Sequence, residues 1–351
     1  MLENFSKSKK EILIALTIIL LLAMIGMILL SKKQNEAVAY TNPVGDMTNI
    51  GDPFVLKDKD KYYMYATSAA TIGFRAWESN NLVDWEEKGL VYEHENQPDQ
   101  WATGDFWAPE VIKHNERYYM SYSARNQEGH LQISIAASDE PLGPYQDIST
   151  EIIKEEGSYI DGHIFIEDDG TPYLYYVKDC SENIIDGYHV SQIFVQEMSG
   201  DLTGLIGKPK LLLEPDQAWE GLGGDYQWNE GPFVLKKDKK YYLMYSSNYY
   251  ASEDYGVGYA VSESPMGPFK KAEENPVLTK DLERGISGPG HNSVTTGLDG
   301  QTLYAVYHTH TFPEAPSGDR QMNIDKILFK DGKLVIDGPT NTEQKINTGG
   351  K

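Results

Sequence analysis

Three carboxylates recur at one kind of place in this chain. Asp52 in GDPFV, Asp161 in SYIDGHIFIEDDG and Glu230 in NEGPFVLKKDKKYYLMYS each open a short apolar strand, followed by a charged or glycine-containing turn and a tyrosine-rich return. A carboxylate at the inner end of a strand is costly unless hydrated, paired or put to use, and several on one channel imply perturbed pKa values. Two carboxyls across a pocket can work as base and acid on a glycosidic bond, the acid needing a raised pKa while the base stays ionised; a third can do the tuning. Each acid taken alone also fits a turn cap, a common use of Asp, but the set of three fits that reading poorly. Two further openings carry Glu110, in WAPEV, and His291, in GPGHNSV.

The elements that must position these residues repeat along the chain. Similar segments start near residues 51, 108, 161, 230 and 290, a period of about 60 residues. Each reads as a hairpin, then a third strand such as IGFRAWES, LQISIAASD, SQIFVQEM, GVGYAVSES or MNIDKILF, then a short fourth one. SDEPLGPY from Ser138 and SESPMGPF from Ser262 fit turns between the outer strands. No segment beyond the N-terminus shows sustained 3.6-residue periodicity, which argues against a (β/α) barrel. The expected fold is all-β, a five-bladed β-propeller with four antiparallel strands per blade, spanning residues 41–346 as one domain with a disordered tail at 347–351. A two-sheet sandwich is the runner-up. In a propeller the first strand of each blade lines the central channel, so the residues opening the repeats converge at one mouth.

Composition narrows the partners. Of 351 residues, 53 are Asp or Glu and 31 Lys or Arg, and the net charge of −22 repels phosphate backbones, so nucleic acid is not expected as a partner. The single cysteine, Cys180, excludes an internal disulfide framework and any multi-cysteine metal site. There is no G-x-S-x-G, H-E-x-x-H, Walker loop or helix-opening G-x-G-x-x-G, so serine hydrolase, zinc protease and nucleotide chemistry lack their residues. The 24 tyrosines and 6 tryptophans suit aromatic surfaces that stack on sugar rings.

Residues 12–30 form an uncharged apolar run with Lys7, Lys9 and Lys10 before it and Lys32 and Lys33 after it. Its length approaches that of a membrane span and exceeds the apolar core usual in a cleaved signal. Residues 1–40 are therefore expected to be a signal-anchor; Ala37-Val38-Ala39, an A-x-A cleavage signature, supports a cleaved signal peptide instead. Both readings place the rest of the chain outside the cytoplasm, secreted or held at the membrane.

From Asn42 to Thr342 the sequence resembles glycoside hydrolase family 43, whose members are five-bladed propellers acting on arabinose- and xylose-containing polysaccharides. The resemblance rests on the order and spacing of GDPFV, WAPEV, SYIDGHIFIEDDG, NEGPFVLKKDKKYYLMYS, the two S-x-x-P-x-GP-aromatic turns and GPGHNSV. It implies that Asp52 is the general base, Glu230 the general acid and Asp161 the residue that orients that acid and sets its pKa, with inversion at the anomeric carbon. It implies a substrate contact for Arg320, in GDRQMNID, and a channel role for His291, facing a calcium or other cation through water, with no cofactor required for the chemistry. A backbone hydrogen bond for His291 and a surface ion pair for Arg320 are the plainer alternatives. Trp107 is placed to stack on a sugar, or to pack in the core; for Trp77, Trp101 and Trp228 the two uses cannot be separated. The implied activity is that of an α-L-arabinofuranosidase or endo-1,5-α-L-arabinanase on arabinan, arabinoxylan or derived oligosaccharides, with β-xylosidase as the alternative within the family. The extra C-terminal β-sandwich of many β-xylosidases is not expected, which favours arabinose. Related propellers that cleave fructose polymers use an Asn-Asp-Pro-Asn-Gly context, from which Gly51-Asp52-Pro53-Phe54 departs. A surface propeller that binds glycans without cutting them is the rival from another class, and three retained acids argue against it.

Overall fold

Each tyrosine-rich repeat forms a hairpin followed by two outer strands, giving five four-stranded antiparallel sheets in chain order. The computed structural model describes residues 16–21, 24 and 37–348. Of the apolar run 12–30, residues 16–21 and 24 are helical, and the remainder lies outside the described residues, as do residues 349–351 of the expected tail. Among the described residues no helix is long and apolar enough to cross a membrane.

The first sheet comprises Gly51–Asp58, Lys61–Ala69, Gly73–Ser79 and Trp85–Glu93, and the second Ala102–His114, Arg117–Asn126, Leu131–Ser138 and Gln146–Ser149. The third comprises Tyr159–Ile166, Pro172–Lys178, Gln192–Met198 and Leu205–Leu213, and the fourth Asn229–Lys237, Lys240–Ser247, Gly256–Ser262 and Lys270–Lys271. Gly290–Thr296, Leu303–His310, Arg320–Lys330 and Lys333–Ile336 complete the fifth. The first strand of each sheet adjoins the first strand of the next, and that of the fifth adjoins that of the first, closing a ring. Val38–Tyr40 pairs antiparallel with Gln344–Ile346, and the Asn42 amide bonds both N–H and C=O of Ile324 at 2.9 Å, so the two ends of the described chain meet.

The second strands are buried on both faces: residues 62–66 of Lys61–Ala69 and 118–124 of Arg117–Asn126 are buried without a break. Sheets packed on both faces leave no wet side, and tyrosine meets this condition by burying its ring and sending its hydroxyl to an edge. Tyr65 and Tyr175 donate to the carbonyls of Pro141 and Pro265 at 2.5 and 2.6 Å, each in the S-x-x-P turn of a neighbouring sheet.

Each first strand carries a bulge at the same place, between Gly51 and Phe54, Trp107 and Glu110, Ile160 and His163, Glu230 and Phe233, and Gly290 and Ser293. The first residue of each bulge has left-handed backbone: Asp52, Ala108, Asp161, Gly231 and His291, with φ from 46° to 57°. The bulge frees that residue's N–H from the ladder. In every case a side chain of the preceding sheet accepts it: Thr67 Oγ1 for Ala108, Ser123 Oγ for Asp161, Ser246 Oγ for His291 and His308 Nδ1 for Asp52, at 2.7 to 3.2 Å. In the third sheet the corresponding residue is Val177, paired with Ile160, which offers no acceptor, and the Asp161 carboxylate takes the Gly231 N–H at 2.9 Å instead.

Candidate active site

Seams built this way gather side chains at one end of the ring. A cavity of about 350 Å³ there is lined by Asp52, Trp107, Asp161, Glu230, His291 and Arg320, but not by Glu110. Asp52, Asp161 and His291 project from bulge residues, and Glu230 from the residue just before one.

Asp52 sits in a basic cradle. Arg320 Nη1 bonds its Oδ1 at 2.7 Å, Thr67 Oγ1 donates to its Oδ2 at 2.6 Å, and His291 Nδ1 lies 3.4 Å from Oδ1. Burial by itself would raise this carboxyl, but the Arg320 guanidinium, then His291, His308 and the Thr67 hydroxyl outweigh it and hold Asp52 well below the usual carboxylate range. Arg320 reaches it by lying against Gly51: a Cβ there would come within 2.0 Å of Arg320 Nη2 and would have to push the guanidinium aside. At 7% exposure Arg320 is no surface ion pair. His308, buried and next to Arg320, has its pKa pushed well below the ordinary value; it accepts the Asp52 N–H at Nδ1, so its proton is assigned to Nε2.

Glu230 has the opposite surroundings. Burial, and next the neighbouring Asp161 carboxylate, raise it well above the ordinary glutamate value, with Asp179 and Asp52 adding to the effect. Its Oε1 accepts the Tyr255 hydroxyl at 2.8 Å, and the Tyr255 ring fills the space where a Cβ at Gly290 would stand, 2.2 Å away. Asp161 is raised to about 6, chiefly by burial, with His291 and the Gly231 N–H opposing and Asp52 and Asp179 adding to the rise. The pocket thus separates one carboxyl that stays ionised from one that holds its proton, the polarisation that acid–base cleavage of an acetal requires.

Tyr255, Asp179, Thr67, Tyr249 and Tyr250 also line the cavity, and none stood out in the sequence, since each comes from a loop or a second-strand end without a motif. Trp77 and Trp101 pack in the core, whereas Trp107 and Trp228 face the cavity. Glu110 is placed differently. Its register partner class is Phe54, His163, Phe233 and Ser293, one pleat below the bulge, and it bonds His163 Nδ1 at 2.6 Å while His163 Nε2 accepts the Val234 N–H at 3.1 Å. It is a clamp between sheets. Cys180 also borders the cavity, where burial, then Asp179, pushes its thiol up to about 12, leaving it without nucleophilic character.

The cation expected beside His291 finds no protein cage. Among the described residues no group of three or more His, Cys, Asp or Glu side chains could hold a metal ion, and His291 turns Nδ1 toward Asp52. A cation beside His291 would therefore be held through water, as the resemblance implies. Within the family the chemistry needs no cofactor.

The chain matches the family model "Glycosyl hydrolases family 43" over residues 40–334. The crystal structure of a thermostable family-43 glycoside hydrolase is 57% identical, covers 88% of this chain and 99% of its own, and superposes with a TM-score of 0.87. A β-D-galactofuranosidase of Aspergillus niger is 29% identical over 81% of each chain, and an extracellular endo-α-(1→5)-L-arabinanase of Bacillus subtilis is 26% identical over 85% of this chain and 72% of its own. Because the matched span contains every sheet that contributes a pocket carboxyl, and over half the chain besides, the protein belongs to glycosyl hydrolases family 43 and is a glycosidase.

Proposed function

We propose that this glycosidase hydrolyses α-L-arabinofuranosyl linkages of arabinan or arabinoxylan, or of oligosaccharides derived from them, with inversion. The observation that carries the reading is the opposed tuning of Asp52 and Glu230 in one cavity. Asp52, ionised, takes a proton from the attacking water; Glu230, protonated, gives its proton to the leaving glycosidic oxygen; water's oxygen bonds the anomeric carbon as the old bond breaks. Asp161 then orients Glu230 and keeps its pKa high. Arg320 holds Asp52 ionised and reaches the sugar at the cleavage subsite, Trp107 offers a ring face to it, and His291 supports the charge balance around Asp52. The arabinanase of Bacillus subtilis among its relatives favours arabinose over xylose.

The same reading takes the five sheets as the five blades of a propeller forming one domain over 41–346, and the run 12–30 as a signal-anchor that leaves the enzyme outside the cell. Support comes from the closed order of the first strands, and, for retention of the segment, from the pairing of Val38–Tyr40, which a cut at the A-x-A sequence would split. The extracellular arabinanase among its relatives favours export.

The test is hydrolysis by the full chain of 4-nitrophenyl α-L-arabinofuranoside, β-D-xyloside and β-D-galactofuranoside and of debranched arabinan, with Glu230→Ala as the blank. Turnover on an arabinoside that disappears in the variant, with the first-formed sugar of inverted configuration by NMR, is expected. Preference for the xyloside would select the β-xylosidase reading, and silence on every substrate together with glycan binding would select a non-catalytic propeller.

A further inference from the structure

Outside the cavity's charged floor lies a row of rings that the acid–base chemistry does not use. It starts at Tyr250, whose ring faces the Arg320 guanidinium at 5.0 Å, and runs through Tyr249, Trp228 and Tyr226 to His189, with successive centroids 4.8, 5.7, 5.8 and 4.4 Å apart. Apart from His189 these residues line the same cavity as the carboxylates, and Tyr226, Tyr249 and Tyr250 are 46%, 46% and 37% exposed. Large rings left in water beside an active site are a cost to the free protein unless something covers them.

The row is held by backbone. Tyr188–Val190 pairs with Ile184–Ile185 and, in parallel, with Tyr226–Gln227, a three-stranded sheet separate from the five large ones. His189 Nδ1 contacts the Cys180 carbonyl at 2.8 Å, the Trp228 carbonyl accepts from the Asn229 amide at 2.8 Å, and the Tyr250 carbonyl meets His310 Nε2 at 2.9 Å. A fixed set of rings binds a ligand without first having to be ordered. Trp228 stands two residues before Glu230, Tyr249 and Tyr250 follow the strand paired with it, and Tyr250 faces the arginine that holds Asp52, so the row adjoins both carboxyls of the acid–base pair.

We infer that this row is an extended binding platform for a pentose oligosaccharide or polysaccharide chain, so that the substrate is recognised over several sugars beyond the one that is cleaved. The inference rests on the function proposed above. The rings present apolar faces with hydroxyl edges, matching the alternation of C–H faces and hydroxyls on a neutral sugar. A net charge of −22 on the chain disfavours an anionic occupant.

The full chain and its Tyr226→Ala and Tyr249→Ala variants are compared on α-1,5-linked arabino-oligosaccharides and β-1,4-linked xylo-oligosaccharides from disaccharide to hexasaccharide and on the matching 4-nitrophenyl glycosides. For the wild type kcat/KM should rise with chain length in one series, which also identifies the sugar. Each variant should lower the ratio of hexasaccharide to aryl-glycoside kcat/KM by about tenfold, as loss of one stacking contact implies. No gain with length, or an equal loss on all substrates, would overturn the inference. Calorimetry on Glu230→Gln separates this outcome from failure of the proposed activity: binding that tightens with chain length and weakens about tenfold in Tyr226→Ala supports the platform even if no substrate turns over, and length-independent binding overturns it.

Discussion

Replacing Arg320 by Gln should move the acidic limb of the pH–rate profile. The guanidinium and the Asp52 carboxylate are joined by a 2.7 Å bond inside a site where both are less than 10% exposed. With charge centres about 4 Å apart and an effective dielectric constant of about 20, their attraction is about 4 kcal/mol, or about three pH units on the carboxyl; carboxylates beside arginine typically shift by about one to three. Without Arg320 only His291, His308 and the Thr67 hydroxyl are left to oppose the burial of Asp52, and its pKa rises back toward the ordinary 3.8. The base is then protonated at higher pH than in the wild type, so kcat/KM, which reports the free enzyme, should lose its acidic limb about one to three units higher, with recovery toward neutral pH. Arg320→Lys, which keeps the charge, should hold the limb near its original place. Stability follows with a definite sign. In the wild type the depressed carboxyl contributes stability above its unfolded value of 3.8, lost as pH falls through the lower folded value. In Arg320→Gln the folded value lies closer to the unfolded one and less of that stability is present, so the difference in Tm between the two proteins should widen as pH rises from the acid end through 3.8. Activity that falls by one factor at every pH, with the limb unmoved, would refute the reasoning and leave Arg320 a substrate contact alone.

The other carboxyl should respond at the opposite limb. Asp161→Asn removes the negative charge that, after burial, does most to raise Glu230, so the alkaline limb should move to lower pH by about one unit or more; a limb that stays or moves up would sink the assignment. Tyr255→Phe removes a hydrogen bond that favours ionised Glu230 and should shift the same limb upward by about one unit, readable in kcat/KM profiles measured side by side. Away from the chemistry, Lys271 Nζ bonds both carboxylate oxygens of the fully buried Glu220 at 2.7 and 2.8 Å and Asn229 Oδ1 at 2.9 Å. Lys271→Met should cost about 3–5 kcal/mol in denaturant unfolding because it strands a buried charge, and adding Glu220→Gln should restore much of the loss; equal stability of single and double variants would contradict this.

What could be read in the sequence was whatever is local. Hairpins, tyrosine-rich strands and the S-x-x-P turns are set by residues a few positions apart, so the five repeats and the all-β class were visible, and Asp52, Asp161 and His291 stood out because bulge residues open the repeats. Glu110 shows the limit. In A-P-E the acid falls two positions after the bulge residue Ala108, on the same face but one pleat deeper, and only the register distinguishes a pocket residue from a clamp on His163. The exposed platform escaped for another reason: paired segments of two and three residues are too short to carry any periodicity, and one of the pairings is parallel between positions some forty residues apart.

The seams explain why tuning arises where it does. Four of the five bulge N–H groups are taken by Thr, Ser or His from the preceding sheet, acceptors that leave the neighbouring pocket without a second carboxylate. At the remaining seam Val177 cannot accept, and the bond that joins the third sheet to the fourth is made by Asp161 to Gly231, the residue after Glu230. A structural requirement met by an acid therefore brings negative charge to the proton donor. Val177→Ser would supply the acceptor used at the other seams and release Asp161 from Gly231; the geometry then requires a weaker coupling to Glu230 and an alkaline limb displaced in the same direction as in Asp161→Asn, though no substrate-facing side chain has been changed.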